Sequence, residues 1–181
     1  MANTRSAPLY LRRFVGAMAL DPAAYEDVEA DRGATIQACA TVLLASVAEG
    51  VALRASLGPG AVALMSAVAL LGWAAWALLT FEVGARILPG ARTHSDVGEL
   101  LRTLGFAAAP GCIAFLSLVP GLAMPILVFS RTWMLLAMVV AVRQALDYTS
   151  TWRAVAVCAL GWLLTSAMIF AVALFRPTPV S

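Results

Sequence analysis

The sequence predicts an all-α membrane protein: a polytopic bundle of five transmembrane helices with short amphipathic helices at the membrane interface. Three observations predict this class. Apolar residues occupy 62% of the 181 positions and charged residues only 12%, about half the charged fraction of ordinary soluble domains. The mean hydropathy is +0.89. The apolar residues also form runs that approach the length needed to cross a hydrocarbon core of about 30 Å.

The first 33 residues are expected to form a cytoplasmic segment with one amphipathic helix. Between residues 9 and 20, apolar side chains recur at helical spacing beside two arginines. This pattern is typical of a helix that lies at the lipid surface. Docking of the helix on the cytoplasmic ends of the bundle explains it equally well. Asp21 and Pro22 are expected to follow the end of this helix.

Five apolar segments are predicted to cross the membrane, since a crossing helix needs about 20 mainly apolar residues. The predicted spans are 34–53, 61–81, 104–119, 122–142 and 154–175, followed by a short external tail at 176–181. Pro120 and Gly121 separate the third and fourth spans, which are expected to form a hairpin rather than one broken element.

A polar stretch before the third span is expected to begin a helix that runs into that span. Ser95 can cap this helix, with Asp96 and Glu99 in its first turn. Pro110 is expected to kink the helix further on, because proline lacks the backbone N–H that an α-helix uses.

The distribution of arginine predicts the orientation. All 12 basic residues are arginine, and nine of them flank the predicted cytoplasmic ends of the spans, against two on the opposite side. Basic residues concentrate in cytoplasmic loops. The N-terminus is therefore expected in the cytoplasm and, with five spans, the C-terminus outside.

Arg131 lies inside the fourth predicted span, where a charge costs several kcal/mol. At 1.5 Å per residue it lies roughly 13 Å from the outer end of that span, and Glu49 roughly 6 Å from the outer end of the first. An extended arginine can bridge this difference in depth. We therefore expect Arg131 to pair with Glu49, with further partners in Ser130, Thr132 and the carbonyls freed near Pro125. Three roles remain open: a pair that fixes helix register, a contact with a partner protein or lipid headgroup, and a transport path.

Two further patterns concern packing inside the membrane. Trp73 and Trp76 lie one turn apart and either pack in the core or line a face for lipid, a pigment or a neighbouring helix. Pairs of small residues four positions apart allow helices to approach closely. Such pairs occur at Ala34/Ala38, Ala107/Gly111 and Ala137/Ala141.

The residues that catalysis or metal binding would require are sparse. Three cysteines lie singly in apolar runs, and His94 is the only histidine. Neither a phosphate-binding glycine-rich loop nor an H-E-x-x-H motif is present. No enzyme activity, cofactor, metal site or nucleic-acid binding is expected. His94 is interpreted as a solvated loop residue, with a role as a pH sensor as the alternative.

Three stretches together resemble the bacterial branch of the Yip domain family of five-span membrane proteins. They are "RRFVGAMALDPAAYEDVEADRGATIQA", "ELLRTLGFAAAPG" and "WMLLAMVVAVRQALDYTSTWRAVAVCALGW". The most specific part combines Trp133 with "AVRQALDY", which contains Arg143 and Asp147, and with "RA" at the start of the last span. The likeness covers roughly residues 10 to 175, nearly the whole chain.

The resemblance implies five helices and a cytoplasmic N-terminus. Eukaryotic members of the family are membrane-trafficking factors that bind small GTPases and one another. Their D-L-Y-G-P stretch is absent here, and the nearest local analogue contains Asp21, Pro22 and Tyr25. GTPase binding is therefore not carried over to this chain.

The expected function is that of a non-enzymatic protein of the bacterial cytoplasmic membrane. It would contact lipids, bind other integral membrane proteins and help assemble membrane complexes, as an accessory subunit of a larger one. A small transporter or channel that uses Glu49 and Arg131 is the alternative. The residues expected to have structural or partner-binding roles are Glu49, Arg131, Pro110, Trp133, Arg143 and Asp147, with the cytoplasmic motif Asp21, Pro22 and Tyr25.

Overall fold

The computed structural model describes residues 6–52, 59–89, 95–119 and 121–174, and every regular element in these ranges is helical. The α-helices are α1 (Ser6–Met18), α2 (Pro22–Ala30), α3 (Ala34–Ala52), α4 (Pro59–Phe81), α5 (Val97–Phe106), α6 (Ala123–Ala145) and α7 (Thr151–Leu174). A π-helical turn (Glu82–Ile87) extends α4, and a 3-10 helix (Ala109–Leu118) follows α5.

Among the described residues, three helical stretches are long and apolar enough to cross a membrane. They are Ser66–Gly84, Val97–Leu118 and Ala123–Ala145. Within α3 and α7, which correspond to the other two predicted spans, the apolar stretches Ala34–Gly50 and Thr151–Leu163 are shorter. The all-helical class of the prediction is confirmed, and the composition and length of these helices suit an integral membrane protein. Five crossings and the orientation stay predictions.

Four of the five predicted spans coincide with α3, α4, α6 and α7 to within three residues at each end. The third predicted span, 104–119, contains the end of α5 and a 3-10 helix rather than one α-helix. The helix that the sequence predicts ahead of this span, running into it, is α5. The apolar stretch begins at Val97 and consists of α5 followed by the 3-10 helix. The external tail predicted at 176–181 lies outside the described residues.

Pro110 accounts for the change from α-helix to 3-10 helix. In a continuous α-helix its ring would clash with the carbonyl of residue 106, and it has no N–H to donate. The α-helix ends at Phe106 and the 3-10 helix begins at Ala109, so the helix changes type where a kink at Pro110 was predicted. In a 3-10 helix, residues three apart lie above one another. Gly111, Ala114 and Ser117 are all buried at this spacing.

The 3-10 helix and α6 form the predicted hairpin. The hydroxyl of Ser130 in α6 donates to the carbonyl of Pro110 at 2.9 Å. Between the two helices the chain turns at Gly121, which has a φ of +83°. Glycine adopts this left-handed conformation without a steric penalty.

The start of α5 differs from the sequence prediction. Asp96, not Ser95, is the N-cap: its side chain accepts from the N–H of Glu99, and the side chain of Glu99 accepts from the N–H of Asp96, both at 2.9 Å. This reciprocal capping box satisfies two backbone donors at once, which a serine one position earlier does not do. The Ser95 hydroxyl instead donates to the carbonyl of Asp96.

Helix α1 packs mainly against α2 and the 3-10 helix, and single hydrogen bonds connect it to α3 and α6. The hydroxyls of Tyr10 and Thr41 lie 3.2 Å apart, and the Trp133 indole N–H donates to the carbonyl of Met18 at 2.7 Å. The opposite side of α1 exposes Leu11 and Val15. The docked arrangement is therefore present, and the exposed apolar stripe still suits contact with lipid.

Small residues allow the close packing of α3 against its neighbours. A Cβ atom added at Gly105 would lie 2.6 Å from the Cβ of Ala38, and one at Gly111 would lie 2.9 Å from that of Ala45. The pairs Ala34/Ala38, Ala107/Gly111 and Ala137/Ala141 are all buried. Close helix contacts are present at Ala38 and Gly111, whereas for the other members of these pairs the close approach stays a prediction.

Candidate functional site: an apolar cavity with an ion pair

A cavity of about 620 Å³ lies between α3, α4, α5 and α6. This volume falls in the usual range of small-molecule sites. Aliphatic side chains, two methionines, Trp73 and Trp76 form most of its lining. Glu49 and Arg131 contribute its charged groups.

The Arg131 Nη2 atom lies 2.9 Å from the Glu49 Oε2 atom. The predicted pairing of Arg131 with Glu49 is thus confirmed, and it connects α3 and α6. The Glu49 side chain is 23% exposed, whereas that of Arg131 is 58% exposed. A guanidinium has five N–H donors, so the side of Arg131 that faces away from Glu49 can bind a further acceptor.

The additional partners predicted for Arg131 are wrong in two cases. The Ser130 hydroxyl donates to the carbonyl of Pro110 at 2.9 Å, and the Thr132 hydroxyl donates to the carbonyl of Val128 at 2.8 Å. Adjacent residues of an α-helix point about 100° apart. Ser130 therefore points to a different side of α6 from Arg131, toward the 3-10 helix. Thr132 forms the common bond of a helical hydroxyl to the carbonyl four residues earlier.

Trp73 and Trp76 both pack against the hydrophobic core, which was one of the two interpretations of the sequence, and both also line the cavity. The Trp73 indole N–H donates to the carbonyl of Leu101 at 3.0 Å. The indole nitrogen of Trp76 is buried and has no hydrogen-bond partner in the described part of the chain. The six-membered ring of Trp76 packs closely against Gly161 of α7.

The remaining predicted residues of the membrane part lie outside the cavity. The carbonyl of Pro110 accepts the hydrogen bond from Ser130, and the Trp133 indole N–H donates to the carbonyl of Met18 at the end of α1. Arg143 Nε donates to the carbonyl of Tyr148 at 3.3 Å, and Asp147 adopts a left-handed backbone with a φ of +50°. Arg143 and Asp147 thus shape the turn between α6 and α7.

The cytoplasmic motif builds a corner between α1 and α2. The Asp21 side chain caps α2 by accepting from the N–H of Ala23 at 3.0 Å, and Pro22 is the first helical residue. Tyr25 is fully buried and its hydroxyl donates to the carbonyl of Ala17 at 3.3 Å. Burial raises the pKa of Tyr25 above its ordinary value. A partner could reach this motif only through its exposed residues, Asp21 and Pro22.

A buried arginine that the sequence analysis did not single out joins the first three helices. Arg13, whose side chain is 3% exposed, donates to carboxylates of Asp27 at 2.9 Å and Asp31 at 2.8 Å, and to the Gln37 amide oxygen at 3.1 Å. Hydrogen bonds from Arg13 hold the pKa of both carboxyl groups below the ordinary value. An arginine on an amphipathic helix normally faces water, so its position gave no signal.

A second polar contact joins α2 to α5. Arg102 donates through Nε and Nη2 to the carbonyl of Glu29 at 3.1 and 2.6 Å. Burial, with additional repulsion from Glu99 and Asp147, raises the pKa of the Glu29 carboxyl to about 7. Within the described ranges, no group of three or more His, Cys, Asp or Glu side chains is placed to hold a metal ion. His94 lies outside these ranges.

Comparison with protein families, with curated proteins and with solved structures found no match. The resemblance to the Yip domain family accordingly stays a prediction. The part of the chain that the structure describes supports the class of an all-helical protein with three apolar helices of membrane-spanning length.

Proposed function

We propose that this chain is a non-enzymatic integral membrane protein that binds other membrane proteins and helps assemble their complexes, as an accessory subunit of a larger one. In this proposal it crosses the bacterial cytoplasmic membrane five times, with the N-terminus in the cytoplasm and the C-terminus outside. The family relationship to Yip proteins is part of the same proposal.

The observation that supports partner binding is the exposed face of α4. Only 22% of the apolar window Ser66–Gly84 is buried. The exposed positions of α4 include the small residues Ala63, Ala67 and Ala75. Small residues allow two helix backbones to approach, and they are typical of contacts between membrane helices.

The packing inside this bundle supports this interpretation of the face. Where small residues are buried, as at Ala38 and Gly105, they lie at close helix contacts. The same residue type recurs on α4 where the described chain offers no covering helix. A helix of a partner protein would complete a contact of the kind that α3 and α5 already form.

Co-purification tests this proposal. The tagged chain is extracted from its native membrane in mild detergent, and the proteins that accompany it are identified by mass spectrometry. We expect a reproducible membrane partner, lost in the double variant Ala67→Leu/Ala75→Leu. Ala159→Leu, an exposed substitution on α7, is the matched control and should retain the partner. A wild-type chain that is monomeric and free of partners would contradict the proposal.

The alternative is a small transporter, and the cavity lined by Glu49 and Arg131 is the observation that favours it. Intramembrane charges commonly mark solute paths. Reconstitution in liposomes distinguishes the two functions. A solute flux that Arg131→Gln abolishes would establish transport, and the absence of flux across a panel of ions and small solutes would leave partner binding.

A further inference from the structure

We propose that the cavity between α3, α4, α5 and α6 binds one acyl chain of a bilayer phospholipid with an amine-bearing, zwitterionic headgroup. The phosphate contacts Arg131 and the ammonium group contacts Glu49. The site would be built into the fold and would exist whether or not a protein partner binds.

The dimensions of the cavity suit a single acyl chain. Its lining on α4 extends from Leu64 to Trp76, roughly 18 Å at 1.5 Å per residue. One leaflet of a ~30 Å hydrocarbon core is about 15 Å thick, and an acyl chain extends over that distance. Gly72 lines the cavity midway, with no atom within 4 Å of an added Cβ.

The cavity is continuous with the surface that lipid would cover. Leu64 and Val68 line it and are also 66% and 59% exposed. In the proposed topology they lie in the outer half of the membrane, as do Glu49 and Arg131. A chain can therefore enter from the outer leaflet with its headgroup at the charged end.

The ion pair determines the type of headgroup. Arg131 uses Nη2 for Glu49 and is more than half exposed, so its other N–H groups can donate to phosphate oxygens, as guanidinium groups commonly do. Glu49 accepts from Arg131 through one carboxylate oxygen, which leaves the second for an ammonium group. An arginine can also extend its charge toward the headgroup level.

Charge complementarity separates this ligand from other lipids. A purely anionic phospholipid would bring its phosphate to Arg131 but would face the carboxylate of Glu49 without a compensating cation. A quaternary ammonium headgroup carries the positive charge without an N–H to donate. A primary ammonium group beside the phosphate satisfies both members of the pair.

Lipid retention tests the proposal. The purified chain is placed in nanodiscs with equal amounts of phosphatidylethanolamine, phosphatidylcholine and phosphatidylglycerol, re-extracted in mild detergent, and analysed by native mass spectrometry. We expect about one retained phosphatidylethanolamine per chain. Its preference over each of the other two lipids should be at least about fivefold, the effect of one charge-assisted hydrogen bond.

Three variants and one control, Ala156→Phe, separate the acyl-chain site from the headgroup site. Gly72→Phe fills open space in the cavity and should reduce retention of all three lipids at least about fivefold. Ala156→Phe, on an exposed position of α7, should retain lipid like the wild type. Glu49→Gln should remove the preference for phosphatidylethanolamine, whereas Arg131→Gln should weaken retention of all phospholipids. Unfolding temperatures of each variant show which chains are folded.

Three results would overturn the proposal. They are a wild-type chain that retains no lipid, equal retention of the three headgroups, and undiminished retention by folded Gly72→Phe.

Discussion

At the scale of single residues, two arginines hold this structure together in different ways. Arg13 is almost fully buried and has several oxygen acceptors on α2 and α3. Arg131 has one carboxylate partner and an exposed side. A buried charge requires full compensation, so Arg13 is expected to stabilise the folded state, whereas Arg131 retains capacity to bind a ligand.

Replacing Arg13 by alanine should therefore destabilise the folded state. The change leaves Asp27 and Asp31 without their shared cation, but these carboxylates are 38% and 42% exposed and can be hydrated. We therefore expect a loss of about 2 kcal/mol, from the lost charge-assisted hydrogen bonds. Arg12 also contacts Asp27 but is 70% exposed. Arg12→Ala is the matched control and should lower the free energy of unfolding by less than about 1 kcal/mol. Thermal unfolding in detergent measures both. Equal losses for the two variants would contradict the role assigned to Arg13.

The acid dependence of stability should change in the same variant. Because Arg13 lowers the pKa of Asp27 and Asp31 below the ordinary value of 3.8, their contribution is present above that pH and is lost as the pH falls through the lowered pKa values. The Arg13→Ala variant should lose this part of the acid dependence.

Charge reversal tests the Glu49–Arg131 pair. Glu49→Arg and Arg131→Glu each place two like charges together in an apolar environment, and we expect each to cost about 3 kcal/mol and reduce the folded yield. The double reversal restores an ion pair and should recover most of that yield, as measured by fluorescence-detected chromatography. A double variant that is no better than the single ones would show that the pair contributes little.

At the scale of helices, α2 and the 3-10 helix show how short segments cover the bundle. Helix α2 is held by Arg102, which donates to its carbonyl at Glu29. The 3-10 helix packs small residues against α3 and α6. A ten-residue 3-10 helix is unusually long, and its spacing of three places Gly111, Ala114 and Ser117 on one face.

Gly111 should be sensitive to a single added methyl group. A Cβ at this position would approach the Ala45 Cβ to 2.9 Å, so Gly111→Ala should destabilise the protein by roughly 1–3 kcal/mol through overpacking. Gly50, with no atom within 4 Å, is the control, and its change to alanine should be neutral or stabilising. Unfolding temperatures give both values. A stable Gly111→Ala variant would contradict the close packing of these two helices.

Glu29 should make the docking of α2 dependent on pH. Its pKa is raised to about 7, so the folded state binds the proton more tightly than the unfolded state, and stability falls as the pH rises from about 4.5 to about 7. Glu29→Gln should stabilise the chain at pH 8 and have little effect at pH 4. Since water screens the half-buried carboxyl, we expect a gain of about 1 kcal/mol. The same stabilisation at both pH values would argue against this ionisation.

The predictability of these elements follows from the physics of each signal. Long apolar runs predicted α3, α4, α6 and α7, because hydropathy reports directly on burial in lipid. One charged residue in each of two such runs predicted the Glu49–Arg131 pair. The 3-10 conformation was not predictable, since it depends on how Pro110 and small residues pack against α3. The cavity and the burial of Arg13 likewise depend on contacts between helices distant in sequence.

At the scale of the whole molecule, the bundle combines tightly packed helices with largely exposed ones. Sixty-seven per cent of the window Val97–Leu118 is buried, against 22% for Ser66–Gly84 and 22% for Ala123–Ala145. The first is therefore enclosed by the chain, whereas the other two present apolar surface that lipid or a membrane partner must cover. This asymmetry is the basis of both proposals.

The central claim is a five-pass membrane bundle with a cytoplasmic N-terminus. Cysteine labelling in intact cells tests it most directly, with the native cysteines replaced by alanine and single cysteines introduced as Ser6→Cys, Ser56→Cys, Thr93→Cys, Ser150→Cys and Ser181→Cys. A membrane-impermeant maleimide should label the cysteines at positions 56 and 181 in intact cells, and those at 6, 93 and 150 only after permeabilisation. Labelling of positions 6 and 181 from the same side would contradict the claim.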